Sequence, residues 1–532
     1  MHRVSYARRL VLKGGLAAGS LFLPMPHAWT WAQSEGTLKL LKLPKIALVI
    51  GNGGYKQAPL KNPANDARAI GEALKATGFE VALSMDADRG RMASAVQAYV
   101  QALEARKCVG LFYYAGHGIQ IAWRNYMLPV DADIGTAADI PKQGLHVNRL
   151  LEGMTMAANP MNIIILDACR DNPFGSLNGV DTKGLSQMDA PQNTILAYAT
   201  SPGNVASDGD GVNGLYTENL LRELKVPEAK VEDVFKRVRL NVRRKSNGAQ
   251  IPWESTSLEE DFYFLPPREL TAQSEQEQER QFQEELELWE RIKDATQAQP
   301  FEAYLRRFPS GRFTEIAWLR MDQLLAKLGE RRIEIVSDAA NPYSKGTARA
   351  NTRFEVGERY AYRATDLYTK LETGRPTQTV TAITETEVVY NKGNLVTDLL
   401  GNELRLGGGR EFTQPQFYPL EYAVGKKWST RFLTKGAKGV ESQAEMNFTV
   451  VGRENVTVPA GTFDSYRVEG SGWYGDRRQQ QTTYWMAPEK VKRYIAREQI
   501  AYGGKKSKIR AAERRELVAF TPAVERPRGD RK

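Results

Sequence analysis

Histidine and cysteine are scarce in this sequence, which has four histidines and two cysteines among its 532 residues. Only two of the histidines, His117 and His146, lie beyond residue 32. A zinc site built from several histidines is therefore excluded for that part of the chain. Any chemistry that needs an imidazole or a thiol has few residues to draw on.

Long apolar runs and basic stripes are also missing. Beyond residue 32 no stretch is apolar over the roughly 18 residues that a membrane-spanning helix needs, so we expect no transmembrane helix in the mature chain. No Lys/Arg stripe with interleaved aromatic residues is present, which argues against nucleic acid as a partner. The formal net charge of +10 includes a basic tail at residues 522–532. Such a modest excess is a weak argument for acidic partners or an anionic membrane surface.

The amino terminus has the features of an export signal. Arg8 and Arg9 precede a small and apolar run from Gly14 to Met25, and Ala32 ends a small-residue cleavage site. Paired arginines before a short apolar segment predict a Tat-type signal peptide over residues 1–32. The alternative is an uncleaved anchor or a chance arginine pair. We therefore expect a periplasmic or secreted bacterial protein.

Residues 45–265 alternate between apolar strand patterns and amphipathic helix patterns. The predicted strands are Ile46–Ile50, Glu80–Ser84, Val109–Tyr114, Asn162–Leu166, Thr194–Ala199 and a closing strand Asp261–Leu265. Asn65 and Asp66 are predicted to cap the first helix. Repeated strand–helix units predict an α/β domain with a mainly parallel sheet and helices on both faces.

Two further modules are expected after Pro266-Pro267. Residues 268–332 have the apolar spacing of a short helical hairpin, similar to tetratricopeptide-like units, with a plain spacer as the alternative. Residues 333–521 turn to period-two alternation with Gly and Pro turns, which predicts an antiparallel β-rich domain, either a sandwich or an open barrel. This domain contains no histidine and no cysteine, so we expect it to dock a partner, such as an envelope protein.

His117 and Cys169 each lie where a predicted strand ends, in an apolar setting that parallel sheets use to present reactive side chains. Cys169 follows His117 by about 50 positions, the spacing expected of a caspase-type protease. Either residue alone would be better explained by packing, as a core histidine or a buried thiol. Together they predict a cysteine nucleophile with a histidine base.

The neighbours of this pair have properties that peptide hydrolysis needs. Gly116 and Gly118 let a substrate backbone approach, and the N–H groups of Gly118 and Cys169 are the predicted oxyanion donors. Asp167 lies two residues before the thiol and thus on the same side of the strand, where it is predicted to line the substrate pocket. Its alternative role is a solvated or capping acid.

The other cysteine, Cys108, opens the strand that leads to His117. If the two strands are parallel neighbours, Cys108 and Cys169 are separated by roughly 20–30 Å at about 3.3 Å per residue. A disulfide requires Cα atoms within about 7 Å. Both cysteines are therefore predicted to stay unpaired, with Cys108 a small buried hydrophobe.

Several stretches of residues 45–265 resemble the caspase-like peptidases of family C14, in their bacterial metacaspase or orthocaspase branch. The matching segments are Lys45-Ile-Ala-Leu-Val-Ile-Gly-Asn52, Leu60-Lys-Asn-Pro-Ala-Asn-Asp-Ala67, Gly78-Phe79, Tyr113-Tyr-Ala-Gly-His-Gly118, Leu166-Asp-Ala-Cys-Arg-Asp-Asn-Pro-Phe174, Ala199-Thr-Ser-Pro-Gly203, Asp208-Gly-Asp-Gly211 and Asn213-Gly-Leu-Tyr-Thr217. The resemblance implies a cysteine endopeptidase with His117 as base, Cys169 as nucleophile and Gly118 as an oxyanion donor.

The sequence departs from the animal caspases around the thiol. Their Gln-Ala-Cys-Arg-Gly pattern is replaced by Asp167-Ala-Cys-Arg-Asp171, and the arginines that hold an aspartate in those enzymes have no counterpart between Leu60 and Asp66. An acid beside the thiol favours a cationic side chain. We therefore expect cleavage after Arg or Lys, and Lys183 is a candidate site of self-processing.

The visible chemistry needs no cofactor and no metal. The resemblance leaves calcium dependence open, and the sequence places no calcium site. The competing hypothesis is a non-enzymatic envelope interaction protein that uses the caspase-like fold as a scaffold. In the enzyme hypothesis the partners are protein or peptide substrates.

Overall fold

The computed structural model describes residues 36–169, 185–201, 211–267, 275–330, 341–344, 346–437, 439–475, 478–503 and 508–523. The expected signal peptide, residues 524–532 of the basic tail, and Lys183 lie outside these ranges. Within them, no helix is both long and apolar enough to cross a membrane.

The first sheet occupies the amino-terminal half of the described chain. Its strands are β1 (Lys45–Gly51), β2 (Glu80–Met85), β3 (Val109–Ile121), β4 (Arg124–Met127), β5 (Leu145–His146), β6 (Met161–Cys169), β7 (Thr194–Tyr198) and β8 (Trp253–Thr256). The order is β2-β1-β3-β6-β7-β8, with β4 and β5 off this path. Neighbours from β2 to β7 run parallel, and β8 is antiparallel to β7.

Helices cover both faces of this sheet. They are α1 (36–42), α2 (Pro63–Ala76), α3 (Arg89–Arg106), α4 (Ile140–Gln143), α5 (Val147–Met156), α6 (Leu215–Glu223) and α7 (Val231–Lys245). Side chains of α2, α6 and α7 share one apolar core with alternate strand residues such as Val49 and Tyr113. Those of α3 and α5 share the other core with the intervening residues, such as Leu48 and Tyr114. The expected α/β architecture is confirmed.

The predicted end of β3 was wrong. The strand does not stop at Tyr114 but continues through His117 to Ile121, where Ala122 and Trp123, both with positive φ, turn the chain into β4. On one side of β3 the partner changes around His117 from β1, which pairs as far as Ala115, to β4, which pairs from Gly118 onwards. His117 therefore lies within a strand, at the point where parallel pairing gives way to a hairpin.

The predicted closing strand Asp261–Leu265 was also wrong. This segment makes one bridge, between Tyr263 and Lys230. Phe262 and Phe264 are buried in the core that α2, α6 and α7 share with the sheet. Its alternating aromatic residues fill a gap beside Phe79 instead of extending the sheet. The edge position belongs to β8, whose mixed polar sequence gave no strand signal.

A helical hairpin module follows. It consists of α8 (Glu275–Ile292), α9 (Ala298–Arg307) and α10 (Thr314–Lys327). Trp289 stacks on Phe313, with ring centroids 5.3 Å apart. The apolar core of the three helices is continuous with that of the antiparallel sheet formed by the strands that follow, so the helices pack against that sheet.

The second sheet contains short and long antiparallel strands. They are β10 (Arg359–Asp366), β11 (Glu372–Gly374), β12 (Thr377–Ile383), β13 (Glu387–Tyr390), β14 (Leu395–Asp398), β15 (Glu403–Leu406), β16 (Arg410–Phe412), β18 (Lys427–Lys435), β19 (Glu441–Val458), β20 (Gly461–Tyr474), β21 (Arg478–Met486), β22 (Ala496–Gly503) and β23 (Lys508–Thr521). A small separate pair is formed by β9 (Ala348–Arg349) and β17 (Glu421–Tyr422). The antiparallel β-rich architecture is confirmed, and pairing of β10 with β23 closes the sheet into a barrel-like ring.

Buried charges join the three modules. Arg243 of α7 forms ion pairs with Asp322 of α10 and with Glu330, both at 2.6 Å. Asp322 also pairs with Arg349 of β9. Burial opposes ionisation of Asp322, but Arg349 and Arg243 outweigh it and hold its pKa below the usual range. Breaking one partner of such a buried set would leave uncompensated charge, so these contacts fix the modules against one another.

Candidate active site

The site lies at the carboxyl edge of the first sheet, where β3 and β6 run side by side. The parallel register sets His117 opposite Cys169. Neighbouring strands are about 4.8 Å apart, so the register alone brings the two backbones within reach of a shared side-chain contact. The Cys169 side chain lies outside the described part of the structure.

The backbone of His117 is fixed by two buried tyrosines. Its N–H donates to the Tyr55 hydroxyl at 3.0 Å, and its carbonyl accepts from the Tyr114 hydroxyl at 2.7 Å. The Leu128 N–H donates to the same carbonyl. The Tyr55 hydroxyl in turn donates to the Leu128 carbonyl at 3.0 Å, and the Tyr114 hydroxyl oxygen lies 3.0 Å from the same carbonyl oxygen. This network ties the start of the β3–β4 hairpin into one unit.

The imidazole of His117 is oriented by a main-chain carbonyl. Its Nε2 lies 2.8 Å from the Ala58 oxygen, which can only accept, so Nε2 carries the proton. In the neutral ring Nδ1 is then the basic nitrogen. The ring is buried and lies 4.4 Å from that of Tyr55, centroid to centroid. The sequence did not single out Ala58, because a backbone carbonyl has no residue-type signal.

The loop that carries Ala58 is anchored at its base. The N–H groups of Gly53 and Gly54 donate to one oxygen of Asp86, at 2.9 and 2.8 Å, and Leu60 N–H closes the loop on the Gly53 carbonyl. Ala58 itself has φ of 51°, a left-handed conformation that is unfavourable for alanine. The strained residue presents its carbonyl to the imidazole.

The two glycines that flank His117 are required by close contacts. A Cβ on Gly116 would lie 2.7 Å from both the Tyr114 and the Tyr55 hydroxyl oxygens. A Cβ on Gly118 would lie 2.9 Å from the Ala168 Cβ and 3.0 Å from Leu185. A side chain at Gly116 would displace the two tyrosines that bond to the His117 backbone, and one at Gly118 would displace Ala168 and Leu185.

The main-chain groups of Gly118 face β6. The Ala115 carbonyl accepts from Asn52 N–H on the β1 side, and the His117 carbonyl accepts from Leu128 N–H on that same side. Because neighbouring residues of a strand alternate, the N–H and carbonyl of Gly118 point the opposite way. That direction leads towards Cys169.

Asp167 is half-buried on β6, and hydroxyl groups hold its carboxylate. The Thr217 hydroxyl donates to it at 2.7 Å and the Tyr113 hydroxyl at 3.1 Å. Burial, followed by the negative charges of Asp167 and Asp66, raises the pKa of Tyr113. A carboxylate held by two hydroxyl groups thus lies two residues before Cys169, on the same face of β6.

A second carboxylate near Tyr113 was misassigned from the sequence. Asp66 does not cap α2, since the N-cap residue is Asn62. It lies in the first turn, is buried, and accepts from Asn213 Nδ2 at 2.8 Å and from Gly214 N–H at 3.0 Å. Its acidic side chain therefore belongs to the same region as Asp167. An apolar helix face interrupted by an acid was the signal that could have indicated this.

Cys108 lies at the opposite edge of the sheet, just before β3. It is fully buried, and burial raises the pKa of its thiol to about 11. The prediction of a buried, unpaired thiol is confirmed for this residue. In the described ranges, no group of three or more His, Cys, Asp or Glu side chains could hold a metal ion.

An open, mainly parallel sheet with a buried histidine in register with a cysteine at its carboxyl edge is the arrangement that the sequence predicts for a caspase-type peptidase. Comparison with protein families agrees, because the caspase domain family, Peptidase C14, matches residues 44–263. Residues 44–263 of this chain are therefore similar to the caspase domain of that family.

Two curated relatives share this region. One is mucosa-associated lymphoid tissue lymphoma translocation protein 1 of Homo sapiens, 30% identical over 161 residues, which are 30% of this chain and 19% of the relative. The other is its homolog in Mus musculus, 30% identical over 171 residues, or 32% of this chain and 20% of the relative. The similarity spans about a fifth of the length of these relatives.

The hydrogen bond from the His117 N–H to the Tyr55 hydroxyl gives the first prediction. In Tyr55→Phe the buried His117 N–H loses its acceptor, so the free energy of unfolding should fall by about 1–3 kcal/mol in urea denaturation. Tyr99→Phe is the matched control, because the buried Tyr99 hydroxyl has no hydrogen-bond partner among the described residues. If the two substitutions lowered the free energy of unfolding equally, the Tyr55 hydroxyl would not stabilise the His117 backbone as described.

Proposed function

We propose that residues 44–263 hydrolyse peptide bonds, with Cys169 as nucleophile and His117 as general base. The observation that carries this proposal is the strand register, which sets His117 beside Cys169 on adjacent parallel strands. The Ala58 carbonyl supports it, because a proton held on Nε2 leaves Nδ1 available as the base.

The reaction follows from this arrangement. His117 Nδ1 takes the thiol proton, and the thiolate attacks the carbonyl carbon of the scissile peptide. The oxyanion accepts hydrogen bonds from the N–H groups of Gly118 and Cys169. The imidazolium then gives its proton to the leaving amine, and an acyl-enzyme forms. Water, deprotonated by the same imidazole, releases the acid.

The charges near the thiol favour a basic residue on the amino-terminal side of the cleaved bond. Asp167 lies on the face of β6 that bears Cys169 and bonds to Tyr113, and Asp66 is close enough for its charge to act on the same tyrosine. A guanidinium or ammonium group would be paired there, whereas an aspartate would meet two carboxylates. We therefore propose cleavage after Arg or Lys.

The wider setting is proposed from the sequence. The paired Arg8 and Arg9 support export to the periplasm or beyond the cell, and the metacaspase or orthocaspase branch is the proposed placement within the family. The ring of strands that follows the peptidase region is proposed to dock an envelope protein. The proposed reaction uses no cofactor.

The dyad is tested with the full chain and fluorogenic peptides that end in Arg or in Asp. Cys169→Ala and His117→Ala should each lower kcat by at least about 10³-fold, because each removes a reacting group. Cys108→Ala is the thiol control and should keep its activity. If Cys169→Ala turned over peptide as fast as the parent, or if the parent turned over none, the scaffold hypothesis would replace the enzyme.

Specificity provides a separate prediction. The parent should cleave Arg peptides faster than Asp peptides. Asp167→Asn preserves an acceptor for Tyr113 and Thr217 but removes the charge, so kcat/KM on Arg peptides should fall about 10- to 100-fold. Glu80→Gln, which removes the same charge at the start of β2, should leave kcat/KM unchanged. Faster cleavage after Asp than after Arg would show that the pocket is assigned wrongly.

A further inference from the structure

A short segment from the carboxyl-terminal half reaches the peptidase region. Residues 341–344, 346 and 347 are named here the clamp segment. They lie against residues 185–190, named the wall segment, whose first residue follows Cys169 by 16 positions in the sequence. The contact is separate from the ion pairs that Arg243 forms with Asp322 and Glu330.

Backbone and side-chain hydrogen bonds join the two segments. Asp189 N–H donates to the Tyr343 carbonyl at 3.1 Å, and Asn341 Nδ2 donates to the Gln187 carbonyl at 3.0 Å. The Ser344 hydroxyl donates to Asp189 at 2.8 Å. These partners are mostly buried, so the loss of any of these hydrogen bonds would leave a desolvated polar group without its partner.

The other side of the wall segment is bonded to the β3–β4 hairpin. Ser186 N–H donates to Asn125 Oδ1 at 2.7 Å, and Asn125 Nδ2 donates back to the Ser186 carbonyl at 2.8 Å. The Ser186 hydroxyl donates to the Trp123 carbonyl at 2.8 Å. Leu185 reaches Gly118, since a Cβ there would lie 3.0 Å from its Cδ2.

Tyr343 also contacts the hairpin directly. Its hydroxyl accepts from Arg124 Nε at 2.9 Å. Its ring meets the edge of His146 at 5.8 Å, and His146 stacks on Tyr126 of β4 at 5.1 Å. The clamp segment therefore touches the hairpin at its tip and through the wall segment.

We propose that the clamp segment positions the β3–β4 hairpin. The carboxyl-terminal half of the chain thereby helps to keep Gly118 and His117 in place. The path runs from Ser344 and Asn341 through the wall segment to Asn125 and Gly118. Asn341, Tyr343 and Ser344 are positioning residues, because they act through others and do not reach substrate. The proposal rests on the proposed function for its catalytic consequence and on geometry for its structural one.

A matched pair of serine substitutions tests it in the full chain. Ser344→Ala removes the bond to the wall segment. Ser310→Ala removes a bond of the same kind between modules, in which the Ser310 hydroxyl donates to Asp233 and accepts from Lys236, both at 2.6 Å. We expect Ser344→Ala to lower kcat about tenfold with KM within about twofold, and Ser310→Ala to change neither.

Amide exchange supplies a readout that does not need turnover. In a Cys169→Ala background, Ser344→Ala should speed exchange at residues 185–190 and in β4, and Ser310→Ala should leave both protected. Tyr343→Phe, which removes only the hydroxyl that Arg124 bonds, is a second variant with the same expected direction. Thermal unfolding confirms that each variant is folded.

The outcomes separate the two proposals. Equal kinetics in Ser344→Ala and Ser310→Ala, or unchanged exchange at residues 185–190, would overturn the positioning role. If the parent cleaves no peptide, the proposed function fails, and the exchange data alone decide whether the clamp segment holds the hairpin. Faster exchange with lower kcat only in the clamp variants supports the proposal.

Discussion

The parallel pairing of β3 with β6 is the constraint on which the rest of the site depends. Side chains of a strand alternate with a period of two, so a shift of one residue in this pairing would move every side chain to the other face. The register sets His117 opposite Cys169 and Ala115 opposite Asp167. Buried apolar residues on both faces of the sheet hold that register, because any slip would expose them.

Much of the fold was predictable because its signals are local. Apolar runs marked β1, β3, β6 and β7, and amphipathic spacing marked the main helices. The errors came from tertiary context. Phe262 and Phe264 alternate as in a strand but fill a gap in a core, and Trp253–Thr256 forms an edge strand with a sequence that looks like a loop. Closure of the second sheet depends on a pairing between β10 and β23, which are distant in sequence and carry no mutual signal.

The site was predictable only where chemistry is tied to a residue type. A histidine and a cysteine at caspase-like spacing could be recognised, and so could the acid before the cysteine. The Ala58 carbonyl could not, since any residue supplies one, and Asp66 was mistaken for a helix cap. The contact of Tyr343 with the β3–β4 hairpin could not be predicted from the sequence. Tyr343 is remote from the hairpin in the chain, and the packing of the three modules brings the two together.

Covalent labelling of the thiol tests the central claim most directly. An irreversible peptide inhibitor with Arg at its reactive end should, by mass spectrometry of the intact full chain and its fragments, add once, at Cys169. The same inhibitor with Asp in place of Arg should label much more slowly, and His117→Ala should abolish labelling by either. Addition at Cys108, or labelling of Cys169 that is indifferent to His117, would contradict a catalytic pair set by the β3–β6 register.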